Sequence, residues 1–227
     1  MSHHDDPPMP TVRWRTRGYL PHQESHALIQ HVVFHLADAV PGDVWRALAA
    51  DMALSPSHQS HLGGSGPWQD LLDEGRGACL LALPGAAALV QDALLHFAGV
   101  RVRLYGWVVM PNHVHVLARS LPPWPLGKTV ASWKAWTGSR LAALAREHGH
   151  AGSLGPANRV WAREYWDRAM RTEEDVARTL GLMRWDPVRA GLVERPEAWP
   201  WGHAGAQGRR SARLSLAEPE PLTDSFP

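Results

Sequence analysis

His113 and His115 stand two residues apart at the head of an apolar run, "NHVHVLA". If that run is a strand, successive side chains alternate faces. Both imidazoles then share a face with Leu117 and Arg119, while Val114, Val116 and Ala118 point into the core. Two imidazoles so placed can reach one metal ion, with a third ligand supplied from elsewhere. They can equally be a polar stripe on a strand, because H-x-H alone is a short motif that arises by chance. Imidazole suits many metals, so the pair does not choose among Mg, Mn and Zn.

A third ligand has a candidate in "TEEDVARTLGLMRWDP", residues 172–187. Val176, Leu180 and Met183 recur at helical spacing as an apolar stripe. Leu182 lies well off that stripe, and Asp186, four residues on, projects from the same side if the helix reaches it. Asp186 would supply a carboxylate. The plainer account of Leu182 is packing on a neighbouring element. For Asp186 a cap or a solvated position stands level with a ligand role.

The elements that must position these groups follow from periodicity. Residues 1–12 are polar and proline-rich and read as disordered. "RWRTRGYL" (13–20) is a short basic arm. "QHVVFHLA" (30–37) alternates as a strand. Residues 42–54 have helical character, "SPSHQSHLGGSGP" is a loop, and 78–83 is a short strand candidate. A helix begins near Pro84 and ends before Gly99. Residues 101–109 read as a strand, with Val102, Leu104 and Val108 on one side and Arg101, Arg103, Tyr105 and Trp107 on the other. Pro111-Asn112 turns the chain into the strand 113–119. A long helix covers 128–147, with Trp133 and Trp136 expected in its core face. "RVWAREYWDRAM" (159–170) reads as a strand. Thr172 and Asp175 form a capping-box-like start for the last helix, which is expected to end near Asp186 because proline disfavours helix at the residue before it. Residues 203–227 read as a disordered tail. Mixed strands and helices around a central hairpin predict an α+β sheet covered by helices.

Composition sets the outer bounds. The 227 residues are 44% hydrophobic and 20% charged, which suits a globular domain with its own core. Cys79 is the sole cysteine, so no internal disulfide forms, and a reducing, cytoplasmic setting is expected. No leader is visible at the N-terminus, and no apolar run approaches the ~20 residues that span a bilayer. Net charge is +1, yet the only lysines are Lys128 and Lys134. A GC-rich codon usage explains most of that arginine bias. The 12 tryptophans are less easily explained that way.

Several separate motifs then occur in one order: "RGYLPH" with "QHVVFHLAD", "LLDEGRGACLL", "LYGWVVMPNHVHVLA", "SWKAWTGSRL", "VWAREYWDR" and "DPVRAGLVERPEAWPW". Together they resemble the REP-associated tyrosine transposases, single-tyrosine members of the HUH endonuclease group. The resemblance covers residues 13–202. It implies a ferredoxin-like (RRM-like) antiparallel sheet flanked by helices, with the histidines on the central hairpin. It implies that His113 and His115 hold Mg or Mn, which polarises the scissile phosphate of single-stranded DNA. A tyrosine on the last helix would attack that phosphate and keep a covalent link. The implied substrates are imperfect palindromic hairpins with a short single-stranded flank. Members act as monomers or homodimers.

The sequence departs from this pattern at one place. Aligned on Pro187, the family tyrosine falls on Leu182 and its asparagine on Asp186. Leucine has no nucleophilic atom. Of the three tyrosines, Tyr19 is in the arm, while Tyr105 and Tyr165 are poor substitutes. The expectation is therefore a transposase-family protein that binds hairpin DNA with its strand-joining chemistry impaired. Two alternatives remain: a DNA-binding-only regulator or decayed remnant, and a metal-dependent nuclease that uses activated water. A hydrolase of another phosphodiester on the same fold is a further one.

DNA binding does not need the nucleophile. Arg13, Arg15 and Arg17 with Trp14 and Tyr19 combine charge and stacking, which suits a single strand. By resemblance, this N-terminal region reads the flanking sequence. Arg101, Arg103, Lys134 and Arg140 are candidate phosphate contacts, although most single arginines are solvated surface residues.

Overall fold

The structure is a computed structural model that describes residues 13–16, 21–44, 47 and 67–203. The expected disordered ends, Arg17, Tyr19 and the loop before residue 67 lie outside the described residues. So does most of the expected helix at 42–54, of which 42–44 and 47 are helical.

Chain order gives β1 (Arg13–Thr16), β2 (Pro21–Glu24), β3 (Gln30–His35), α1 (Pro67–Asp73), α2 (Ala86–His96), β4 (Val102–Val109), β5 (His113–Ser120), α3 (Leu126–Glu147), β6 (Trp166–Ala169) and α4 (Glu173–Arg189). The four-stranded sheet has the order β4-β5-β3-β6, and every neighbouring pair is antiparallel. With helices between β3 and β4 and between β5 and β6, this is the βαββαβ arrangement of a ferredoxin-like fold. The α+β expectation is met. β1 and β2 form a separate two-stranded hairpin.

The sheet is covered on both faces. On one, Val32, Phe34, Val114, Val116 and Ala118 pack against Leu94 of α2 and Val130, Trp133 and Leu141 of α3. Phe34 and Trp133 are almost wholly buried. Removing the Phe34 ring would cost about 3–5 kcal/mol, through lost transfer energy and the cavity left behind. On the other face Val108 and Leu117 pack against Val176 and Met183 of α4. That helix starts where Thr172 accepts a hydrogen bond from the Asp175 amide at 3.1 Å. Glu173, Glu174 and Asp175 add negative charge at the positive end of its dipole.

Several local expectations are corrected. Residues 78–83 are not a strand; Leu80–Ala82 is a 3-10 turn that follows Cys79 at φ 49°. β4 is bulged between Leu104 and Gly106. The extra residue shifts the alternation, so Trp107 and Val109 join Val102 on the α2/α3 side, and Val108 faces α4. The bulge also puts Gly106 under α4, where a Cβ would lie 2.5 Å from the Leu180 Cδ2. Only Trp166–Ala169 of the segment 159–170 is a strand, so Tyr165 precedes it. Trp136 is 44% exposed and stacks under Arg140, so it is not core. The last helix runs through Pro187 to Arg189. Proline so near the C-terminal end removes one hydrogen bond, and the Ala190 amide still reaches the Asp186 carbonyl at 2.9 Å. The extra turn places Arg189 beside Asp186, three residues before it.

Candidate metal centre

His113 and His115 share the α4 side of β5 and are fully buried. Antiparallel pairing places His35 opposite His113 and Val33 opposite His115. His31 also lies on this face, with its Nε2 3.0 Å from the His115 Nδ1. Burial holds His31 and His113 well below the ordinary imidazole range, His35 at about 4 and His115 at about 3. The histidines are neutral at neutral pH, the form that binds metals.

The Asn112 side chain fixes one tautomer. Its Nδ2 donates to the carbonyls of Leu72 and Arg76, both at 3.1 Å. Its Oδ1 must therefore accept, and His113 Nδ1–H donates to it at 2.7 Å. That leaves the lone pair of His113 Nε2 aimed at Asp73 Oδ1, 3.6 Å away. In the same way His115 Nε2 faces Asp186 Oδ2 at 3.8 Å.

None of these four buried atoms has a hydrogen-bond partner. Stranded acceptors inside a protein are costly. The two pairs are close: the imidazole rings lie 4.7 Å apart, and Arg189 bonds the outer oxygen of Asp186 and lies 3.8 Å from that of Asp73. Burial raises Asp73 to about 6 and Asp186 to about 7, against the opposing pull of Arg189.

Among the described residues no group of three or more His, Cys, Asp or Glu is placed so that it could hold a metal ion. The separations explain this. Two donors on one ion with bonds of about 2.1 Å sit about 3–4.2 Å apart, so the facing pairs are within range but not drawn together. Two neutral imidazoles and two carboxylates suit a divalent cation such as Mn or Mg. The donor types suit the metal that the motif resemblance implies, while their placement does not converge on one point.

Asp186 thus sits with the histidines, as its spacing allowed. Asp73, Asn112, His31 and Arg189 were not singled out from the sequence. A signal existed for His31 and His35, which lie four apart on one strand face. None existed for Asp73, which arrives from α1 through the tertiary fold. Leu182 is half-buried one turn before Asp186, with no polar atom to offer. Tyr105 is partly buried against the α4 side of the core, and Tyr165 stacks on His22 at 4.1 Å.

No family model matches the chain. A Haemophilus influenzae protein assigned by name as a REP-associated tyrosine transposase is 25% identical over 95 residues, 41% of this chain and 53% of that protein. Over that stretch the chain is similar in sequence to a REP-associated tyrosine transposase. It spans about half the length of that relative. Two solved structures are also similar. One is a REP-associated tyrosine transposase bound to a REP hairpin, with TM-score 0.46 and 14% identity over 84% of each chain. The other is a Deinococcus radiodurans protein assigned by name as a transposase, with TM-score 0.35 and 15% identity over 72% of this chain and 89% of that one. At those scores the fold assignment rests on the strand order itself.

The other expected DNA contacts are spread over the molecule. Arg13, Trp14 and Arg15 lie in β1. Arg103 is exposed on β4. Arg101 is sandwiched between Phe97 and Trp124 and donates to Ser132. Lys134 donates to the Arg163 and Glu164 carbonyls, and burial lowers it to about 8. Its ammonium is committed within the chain. No helix among the described residues is long and apolar enough to cross a membrane.

Proposed function

We propose that this protein binds single-stranded or hairpin DNA and holds a divalent metal, Mg or Mn, through His113, His115, Asp186 and Asp73. The observation that carries the reading is the set of four buried, partnerless donor atoms in two facing pairs. When bound, the metal supplies charge that polarises a phosphodiester oxygen. Asn112 holds His113 in the ligating tautomer, and His31 orients His115 from behind. The sequence relationship supports DNA as the substrate class.

By the motif resemblance, aligned on Pro187, Leu182 falls at the position of the family's tyrosine. No side chain at that place can attack phosphorus, so the transposase reaction, which keeps the bond energy in a protein–DNA link, is impaired. A second reading, hydrolysis by water, is favoured by Asp73, which adds a second carboxylate beside the histidines.

The test is a labelled hairpin with a single-stranded flank, incubated with Mn and run on a denaturing gel. Metal-dependent binding without a covalent adduct is expected. An adduct that survives denaturation would overturn the impairment. Cleavage to free ends would select the hydrolytic reading. Failure to bind either Mn or DNA would overturn the proposal as a whole.

A further inference from the structure

Two exposed side chains lie at the mouth of the histidine–aspartate cluster, on α4. Arg189 is 39% exposed in its side chain and bonds the outer oxygens of the cluster. Trp185 is 50% exposed and lies four residues earlier, so the two are neighbours on the helix surface. We propose that Arg189 and Trp185 form a clamp for single-stranded DNA, in which Arg189 grips the phosphate brought to the metal centre and Trp185 stacks the base beside it. This rests on the functional reading above and names which part of the substrate the site holds.

Each half has a specific basis. A guanidinium carries five N–H donors in a planar fork, and the contacts of Arg189 to Asp73 and Asp186 engage only its Nη2. The remaining donors are available toward solvent, where a phosphate would approach the inner donor atoms. Each carboxylate gives its outer oxygen to Arg189 and leaves its inner oxygen to the histidines. Arg189 can therefore hold a phosphate without displacing the donors that face inward.

Trp185 is exposed for no structural reason. It makes no ring contact, cation–π contact or hydrogen bond among the described residues. The comparison with Trp136 is direct: that ring is also exposed, but Arg140 covers it with the guanidinium carbon 4.0 Å from the centroid. Trp185 is half exposed and has no such cover among the described residues. An exposed indole next to a cation is what a single strand needs, because every base has a face to stack and every nucleotide a charge to neutralise. A duplex offers no unstacked base, so the clamp selects the unpaired flank over the stem.

The test uses fluorescence anisotropy with the full chain and a labelled hairpin carrying a randomised single-stranded flank, beside the same hairpin without the flank. Trp185→Ala should weaken binding of the flanked hairpin roughly 5- to 100-fold, leave the blunt hairpin unchanged, and be largely restored by Trp185→Phe. Arg189→Gln should weaken the flanked hairpin and reduce the slope of log affinity against log salt by about 0.7. Mn binding, measured by calorimetry without DNA, should survive in Trp185→Ala. If the wild type binds Mn and the flanked hairpin but the variants bind DNA as well as it does, the clamp is overturned and the functional reading stands. If Arg189→Gln loses Mn and DNA together, Arg189 only holds the carboxylates, and the clamp is again overturned. If the wild type binds neither probe, both the reading and the clamp fall.

Discussion

Asp73 of α1 and Asp186 of α4 share one guanidinium. Arg189 bonds the outer oxygen of Asp186 and approaches that of Asp73 at 3.8 Å, while the inner oxygens face His115 and His113. Two neighbouring carboxylates, Asp186 buried and Asp73 partly so, repel one another and lose hydration. A single arginine on their outer side offsets part of that cost and leaves their inner side for a cation.

The ligand set is tested by its orienting partner. Asn112→Ala removes the acceptor for His113 Nδ1–H and frees the imidazole to change tautomer. Mn affinity by calorimetry should fall about 10–100-fold, as for other groups that orient a metal-bound histidine. His113→Ala should abolish it. Undiminished affinity in Asn112→Ala would show that His113 is not a ligand through Nε2.

The missing nucleophile is tested by gain of function. Leu182→Tyr places a phenol one helical turn before Asp186. With Mn and a labelled hairpin, the variant is expected to form a covalent adduct that survives denaturation, and the wild type is not. An adduct in the wild type, or none in a Leu182→Tyr variant that still binds Mn and hairpin, would break the link between Leu182 and lost chemistry.

The buried carboxylate has a pH signature. Without metal, burial raises Asp186 from the unfolded value of about 3.9 to about 7. A raised folded-state pKa gives stability that is fully present below the unfolded value and lost as pH rises through the folded one. Asp186→Asn cannot ionise. In EDTA, the Tm of the variant relative to wild type should therefore climb between pH 4 and pH 8. The buried histidines act in the opposite sense, because their folded-state values are lowered and their stability is lost as pH falls below about 6.5. Both proteins carry them, so they cancel in the difference. A Tm difference that stays flat over this window would contradict the burial of Asp186.

The N-terminal hairpin has an anchor that can be cut. His22 of β2 donates to Asp167 at 2.6 Å, its Nε2 lies 3.5 Å from Glu164, and Gln30 donates to the other Asp167 oxygen at 3.0 Å. His22→Ala leaves Asp167 buried with one partner fewer. Limited proteolysis should then cut within or beside residues 13–24 faster than in wild type. DNA affinity should fall while Mn affinity holds. Equal loss of both would place His22 in the general stability of the fold.

Much of the architecture is legible before folding is considered. Alternation at 30–37 and 113–119, the 3.6-residue period of 128–147 and the Thr172 cap each follow from local rules, and the corresponding elements are present. The failures share a cause. The β4 bulge and the 3-10 turn at Leu80–Ala82 are set by what packs over them, and no local rule places Leu180 above Gly106. Helix α4 outlasts Pro187 because its last turn is held by Asp186 and Arg189, which face the cluster.

The sequence by itself determined that two histidines share one strand face, that a carboxylate follows at helical distance from Leu182, and that Leu182 offers no nucleophilic atom. Those are properties of spacing and residue type. Only the tertiary structure decided that Asp73 comes to face His113, that Asn112 fixes the tautomer of His113, and that Arg189 lies against both carboxylates from outside. These depend on contacts between α1, β5 and α4, which are brought together by burial of the sheet's second face and not by any local preference of the chain.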